Sequence, residues 1–399
     1  MMLKAYCQEI LLTEDYKNMK IVHLCLSCFY IDNYSYQENM LPKYHVKMGH
    51  EVTVIASLVS FNKDGKPCLL ETASEHIDKN GYKVIRLEYK KPRKLYKVLR
   101  RYNGFYKILE KENPDIIFSH GMSMADYSVL RRYLKKNPSV KLFADNHADY
   151  INSGTNFLSK NILHKLIWRH FAKKIEPFLI KCYGVTPMRC RFLKEMYHVD
   201  NNIIEYLPMG VDDEAIPDNR TEVRNNIRKH YNIGNDSILI FTGGKIDNRK
   251  NTHILIDAIK QINNPQIHLV ICGVLSPEMD YLKEEFNDNM HYLGWCDSEQ
   301  VMNNMIASDF ACFPGTHSTL WEQAVGVGLP CILKHWNEMT HMDVDGNCIF
   351  VKGDDVDELQ DVINRMMNKD FYTQQKEKAG KASKFFLYSD IAKKAINLE

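Results

Sequence analysis

The chain reads as an α/β protein of two doubly wound, Rossmann-like domains, and three observations carry that reading. Its 399 residues exceed what one hydrophobic core of ordinary size holds. Short apolar runs of strand length alternate with stretches of helical period, once over 19–208 and again over 209–383. Two runs of the second series end in glycine-bearing loops ahead of a helix, where open parallel sheets hold ligands.

Composition narrows the function classes. Lys and Arg number 52 against 50 Asp and Glu, so the net charge of +2 gives no global drive toward nucleic acid. The 11 cysteines are odd in number and scattered through apolar runs, which argues against a disulfide framework and for a reducing cytoplasm. Cys25 and Cys28 form a lone CxxC with no second pair at zinc spacing and read as core. No apolar run approaches the ~20 residues of a bilayer span. Glu9, Glu14 and Asp15 interrupt any signal-peptide pattern, so 1–18 reads as an extension ahead of a domain that starts at Met19.

The first series opens with a buried-type strand from Lys20 to Cys28. An aromatic loop, Phe29 to Ser35, leads to a helix from about Tyr36 to Met48 that stops at Gly49, and a strand follows from Glu51 to Ala56. That is a βαβ unit and predicts a parallel sheet. Further strands are expected at Lys83 to Leu87, Asp115 to Ser119, Val140 to Ala144 and Cys182 to Val185. The second series places strands at Ser237 to Thr242, Gln266 to Cys272, His291 to Leu293, Phe310 to Phe313 and Cys331 to Leu333. Two such domains joined near 208–218 would set a ligand cleft between them.

In the second series Gly243-Gly244-Lys245 follows the first strand, and Lys250 ends the short loop into a helix over 253–262. Ile246 stands where a P-loop requires Ser or Thr, and neither domain's first loop contains GxGxxG. A P-loop NTPase and a dinucleotide dehydrogenase are thereby excluded. Further on, Pro314-Gly315-Thr316-His317-Ser318-Thr319 links a strand to a short helix holding Glu322 and ending at Gly328-Leu-Pro330. Unpaired N–H groups at such a helix start suit a diphosphate, and Glu322 suits sugar hydroxyls. An ordinary capped helix is the plainer reading of this stretch by itself.

Met19-Lys-Ile-Val with Met48-Gly-His50-Glu-Val-Thr-Val, Tyr183-Gly-Val-Thr186, Leu207-Pro-Met-Gly210-Val-Asp212, Gly244-Lys245 with Lys250, and Gly326-Val-Gly328-Leu-Pro330 occur in this order. On these motifs the chain, from Met19 nearly to its end, resembles retaining glycosyltransferases of family four, which have the GT-B fold. The resemblance implies a nucleotide-diphosphate sugar as donor, its diphosphate held by Lys245 and Lys250 and its ribose read by Glu322. It implies further that His147 contacts the donor sugar near the reacting carbon, and that a last helix, 384–399, crosses back to the first domain. Two positions depart from the family. Pro314 stands eight residues before Glu322, where the family has another glutamate, and the shorter loop is similar to that of inverting GT-B enzymes. The Gly-Gly pair after the first strand is absent, with Tyr30 to Tyr36 in its place.

The expected site follows. Lys245, Lys250, Glu322 and His147 form the catalytic set, and Gly244, Gly273, Gly294, Gly315, Thr316, His317, Ser318 and Thr319 line the donor. The base is expected between Gly273 and Tyr292-Leu-Gly294-Trp295, with UDP favoured. Acceptor-side candidates are Tyr34, His120, Asp145 and Asp149. A retaining enzyme needs no protein base, because the leaving phosphate takes the acceptor's proton; an inverting one would draw on His147, Asp145 or Asp149. No metal-ligand spacing is present, so transfer without metal or other cofactor is expected. Two basic, apolar-interleaved runs, Lys90 to Arg101 and Leu158 to Lys181, suit an anionic inner leaflet bearing a lipid-linked acceptor, and equally suit helices packed on the sheet. The leading function is sugar transfer to a glycan or lipid-linked acceptor in surface polysaccharide or glycoconjugate assembly. The alternatives are a sugar-nucleotide epimerase and a non-catalytic GT-B protein that binds a glycan or partner.

Overall fold

The computed structural model describes residues 18–62 and 67–397. The expected extension thus lies, except for Asn18, outside the described residues. Contacts divide the chain into two units, Met1–Pro208 with Ile391–Glu399, and Met209–Asp390.

The first unit holds β1 (Lys20–Cys25), β2 (Glu51–Ser57), β3 (Val59–Phe61), β4 (Pro67–Leu69), β5 (Ser74–Ile77), β6 (Lys83–Leu87), β7 (Ile116–His120), β8 (Lys141–Asn146), β9 (Leu179–Gly184) and β10 (Ile204–Tyr206). Eight of these form one sheet in the order β10-β9-β8-β7-β1-β2-β6-β5, while β3 and β4 pair separately. Every neighbour in the large sheet is parallel except β5 on β6. β1 is central because Ile-Val-His-Leu-Cys is buried throughout, as helices on both faces require. It pairs with β2 on one side and β7 on the other, so the strand order reverses beside it. That switch point brings the ends of β7 and β8 to a place where a ligand can sit.

The second unit holds β11 (Ile238–Gly243), β12 (Ile267–Cys272), β13 (Met290–Gly294), β14 (Phe310–Phe313), β15 (Cys331–Lys334) and β16 (Cys348–Val351). These form an all-parallel sheet in the order β13-β12-β11-β14-β15-β16, with the reversal between β11 and β14. Alternation along each strand builds two cores. Leu239, Phe241 and Val270 join one, with Trp321 and Val325 of the helix Leu320–Val327. Ile240, Leu269 and Ile271 join the other, with Leu255 and Ile259 of the helix Thr252–Ile262. A period of two sends successive side chains to opposite faces, and helices cover both.

Several expectations are corrected. β1 ends at Cys25, before Leu26, whose carbonyl accepts from the Tyr102 hydroxyl at 2.7 Å. Residues 384–390 stay with the second unit, where Leu387 bridges Val211 and Phe386 is buried in the core. The helix Tyr388–Ala395 begins there and returns the chain to the first unit at Ile391. Ser389 lies inside this helix, and its N–H donates to Asp213 Oδ1 at 3.0 Å. β3, β4, β5, β10 and β16 are additional, each of three or four residues, too short to show a period in sequence.

Candidate functional site

In the second unit, four strand ends are drawn together by backbone contacts that side chains would block. Gly273, after β12, has φ +147°, and a Cβ there would lie 1.8 Å from the Gly244 carbonyl oxygen after β11. Its N–H donates to the Gly294 carbonyl at 2.7 Å. Gly315, after β14, passes so close to the β11 loop that a Cβ would lie 2.3 Å from Lys250 Cα. Thr316 N–H then donates to the Arg249 carbonyl at 2.9 Å, joining the two loops at the switch point. Gly244, Gly273, Gly294 and Gly315 therefore shape one loop cluster.

Lys250 completes it. Its ammonium donates to the Thr316 carbonyl at 2.7 Å and the His317 carbonyl at 3.2 Å, and its burial pushes the group down to about 8. An ammonium has three donors, so one remains for a ligand. Lys245 is exposed. Arg249 is engaged in an ion pair with Asp247 at 2.7 Å. The anion cradle expected from Thr316 to Thr319 is smaller than predicted, because the Thr316 N–H is committed to Arg249. Ser318 and Thr319 have no backbone acceptor for their N–H groups among the described residues. Thr319 precedes the helix Leu320–Val327 without a side-chain cap.

Glu322 is fully buried and faces two imidazoles. His317 Nε2 lies 2.8 Å and His341 Nε2 3.0 Å from its Oε1, while Oε2 has no partner among the described residues. Burial by itself would raise this carboxyl; His317 and His341 outweigh that and hold it well below the usual glutamate range. His341 escaped the sequence reading, since it lies in an irregular loop after β15 at no informative spacing.

In the first unit the structure brings His120, Asp145 and His147 together. His120 Nδ1 donates to Asp145 Oδ2 at 2.8 Å, and His147 Nε2 stands 3.3 Å from that same oxygen. Gly121 N–H donates to Asp145 Oδ1 at 2.9 Å. Burial opposes ionisation of Asp145, but the two histidines reverse it and hold the carboxyl far below its usual range. Burial also opposes charging of His147; Asp145 and Glu38 overcome it and raise the imidazole. The His147 side chain is 27% exposed, against 0% for Asp145 and His120.

Asp149 is elsewhere engaged. Its Oδ1 accepts from the N–H groups of Ile151 and Asn152, and its Oδ2 from Arg189 Nε at 3.0 Å. Asp145 and Asp149 are thus corrected as candidate bases, because hydrogen bonds occupy both oxygens of each and Asp145 is in addition hard to protonate. Tyr34 packs edge-on to Phe61 at 5.7 Å, with no hydrogen bond to the histidine group among the described residues. His317, Glu322 and His341, like His120, Asp145 and His147, put three ligand-type atoms within 4.8 Å of one another, which the sequence spacing did not suggest. Imidazole–carboxylate pairing accounts for both approaches, and neither group is assigned a metal.

Replacing Glu322 by Gln removes the charge that two imidazoles face and is expected to cost about 1.5–3 kcal/mol at pH 7. A depressed carboxyl contributes stability that is full above its unfolded pKa and is lost as pH falls through the folded one. The difference between parent and variant in denaturant unfolding should therefore shrink as pH falls below the ordinary glutamate range. A difference that is constant down to pH 3 contradicts the pairing.

The family model for glycosyl transferases group 1 matches residues 223–384, and that for glycosyltransferase family 4 matches residues 41–215. No curated protein sequence matches the chain. Similar solved structures include a glycosyltransferase from Rickettsia africae, 14% identical with a TM-score of 0.66 over 96% of this chain and 98% of that one. Anabaena HepE in complex with UDP is 14% identical, with a TM-score of 0.65 over 94% and 98% of the two chains. The catalytic domain of starch synthase IV from Arabidopsis thaliana, bound to ADP and acarbose, is 15% identical, with a TM-score of 0.63 over 96% and 100%. At these identities the likeness speaks for the fold, and the two family models carry the assignment: the chain belongs to the group 1 glycosyltransferases of the GT-B fold.

Proposed function

We propose that the enzyme transfers a glycosyl group from a nucleotide-diphosphate sugar, UDP-sugar by preference, to a glycan or lipid-linked acceptor in surface polysaccharide or glycoconjugate assembly. The observation that carries this reading is Lys250, whose ammonium holds the Thr316 and His317 carbonyls at the β11/β14 switch point and has one donor left. A diphosphate there would meet Lys250, Lys245 and the N–H groups of Ser318 and Thr319. Glu322 Oε2, buried and without a partner among the described residues, is the acceptor that a ribose hydroxyl would complete. UDP is supported by the Anabaena relative, whose structure contains it. In the first unit, His147 is the exposed member of its group and is proposed to contact the donor sugar.

The proposed chemistry retains configuration. The bond from the anomeric carbon to the diphosphate oxygen breaks, the acceptor oxygen bonds that carbon on the same face, and the acceptor's proton passes to the departing phosphate. Positive groups aimed at the leaving oxygen lower the barrier as charge develops there. Engagement of Asp145 and Asp149 in hydrogen bonds favours this route over one that needs a carboxylate base. With lysines and backbone N–H groups on the phosphates, the reaction is proposed to run without metal.

The test is release of nucleoside diphosphate from a panel of nucleotide sugars, with and without candidate acceptors and chelator. Release should depend on acceptor, persist in chelator, and fall on the order of 10²–10³-fold in Lys250→Ala. A lysine held near 8 is charged below that pH, so affinity for nucleoside diphosphate should weaken as pH rises through about 8. Donor turnover that ignores the acceptor favours an epimerase, and no turnover with intact binding favours a binding protein.

We further propose that the first unit docks on an anionic membrane at the inner leaflet of a cytoplasmic enzyme's host. Among the described residues no helix is long and apolar enough to cross a membrane. Of the stripe foreseen in 158–181, Leu163, Ile167, Phe171 and Phe178 pack on the core and Ile175 is buried within it. Phe157, Leu158, Ile162 and Leu166 are exposed instead, beside Lys160 and Lys165. Leu95 and Val98 are exposed on the helix Arg93–Leu99, and Arg100 at its end lies 5.5 Å over the Trp168 ring, so the two segments adjoin. Such apolar tips among basic residues suit a charged lipid surface. Co-sedimentation with phosphatidylglycerol vesicles should be strong at low salt and fall several-fold in Leu95→Ser, Phe157→Ser. Equal binding to neutral vesicles contradicts the charge argument.

A further inference from the structure

Asp145 ends a chain longer than the candidate site requires. His120 Nδ1 lies 2.8 Å from Asp145 Oδ2, and His120 Nε2 lies 3.0 Å from His23 Nδ1. His23 Nε2 lies 2.9 Å from His45 Nδ1, and His45 Nε2 lies 2.9 Å from the carbonyl oxygen of Ala392. β1 supplies His23, the helix Gln37–Lys47 supplies His45, β7 supplies His120, and the returning C-terminal segment supplies the carbonyl. All three rings are fully buried.

Both ends of this chain are acceptors, because neither a backbone carbonyl nor an ionised carboxylate can donate. Its four hydrogen bonds need four ring protons, and three neutral imidazoles bring only three. With three, one bond becomes a meeting of two lone pairs in an interior where an unmade polar contact is costly. We propose that His45, His23 and His120 together hold one proton more than neutral rings would, and that this buried imidazolium positions Asp145 and, through it, His147.

The extra proton satisfies every bond wherever it sits, so it can pass along the chain by short proton transfers alone. Its resting place is His120, next to the carboxylate. Burial pushes His45 down to about 3, and burial with the neighbouring imidazoles pushes His23 well below its ordinary value. Glu38, on the same helix as His45, and Arg189, of the helix Pro187–Phe192, act on His147, while His50 lies edge-on to His45 at 6.4 Å. With its charge balanced from inside by His120, Asp145 draws less strongly on His147, 3.3 Å from the same oxygen. The far end is Ala392. Its carbonyl obliges His45 Nε2 to carry a proton and so raises the count to four; without it three neutral rings satisfy the remaining bonds and the extra proton is released. Attachment of the C-terminal segment and charge at His147 are thereby linked. The proton count stands whatever the donor sugar is.

Ring-nitrogen NMR of the full chain labelled with 15N-histidine tests this, with signals assigned through single variants. At pH 7, His23, His45 and His120 should together show four protonated and two bare nitrogens; three of each overturns the proposal. In His45→Gln the amide can donate to Ala392 and accept from His23, so His23 and His120 should keep three protonated nitrogens. In His45→Phe, which cannot impose direction, they should show two, and His120 should become neutral. An imidazolium that survives in His45→Phe, or is lost in His45→Gln, refutes the role of Ala392. If His45→Phe does not fold, the parent and His45→Gln decide the count. As a functional readout, the pH profile of nucleoside diphosphate release should shift in His45→Phe and be restored in His45→Gln.

Discussion

The absence of a side chain at position 315 is the constraint on which the loop cluster of the second unit depends. Any Cβ there would sit 2.3 Å from the Lys250 backbone, so only glycine lets the loop after β14 lie against the turn that follows β11. Once the two loops touch, the Thr316 N–H reaches the Arg249 carbonyl and the Lys250 ammonium reaches two more carbonyls. Gly273 does the same for the loop after β12, beneath the Gly244 carbonyl. A parallel sheet whose order reverses between β11 and β14 opens a gap at those strand ends, and the glycines let backbone groups line it.

Each unit buries a carboxylate at its site and holds it ionised with two histidines. Asp145 has His120 and His147, and Glu322 has His317 and His341. Burying a lone carboxylate is prohibitive, and in each group the imidazoles supply the hydrogen bonds that offset it. The two groups differ in what remains open. Among the described residues Glu322 retains one unpartnered oxygen, whereas both oxygens of Asp145 are occupied and the partly exposed member of its group is His147. An acceptor of hydrogen bonds in one unit and a histidine in the other are different offers to a ligand.

The long apolar strands were legible because β1, β2, β11 and β12 are buried along nearly their whole length and read as largely apolar runs rich in Ile and Val. β5 was not, since Ser-Glu-His-Ile is exposed throughout and pairs antiparallel with β6 at the sheet edge. In the site, Gly315, Lys250 and Glu322 could be found because each sits at a fixed distance from a strand end. His341 could not, as it arrives from a loop 19 positions after Glu322 with no periodic signal. His23 and His45 lie inside a strand and a helix, where a histidine reads as an ordinary core polar residue. Their meaning appears only when the sheet sets β1 beside β7 and the C-terminal segment returns. The engagement of Asp149 by Arg189 was equally hidden, since an ion pair across 40 positions leaves no trace in spacing.

The central claim is that the loops at the β11/β14 switch point hold a nucleoside diphosphate. Thermal unfolding of the full chain with UDP, ADP and GDP in turn, each set beside a Glu322→Ala, Lys250→Ala double variant, tests it most directly. A nucleotide at about 100 times its dissociation constant adds roughly 2.7 kcal/mol of stability to the state that binds it. The account predicts an upward shift of the parent's melting temperature with one nucleotide, UDP first, that vanishes in the double variant. No shift with any of the three, or a shift that the double variant retains, would contradict it.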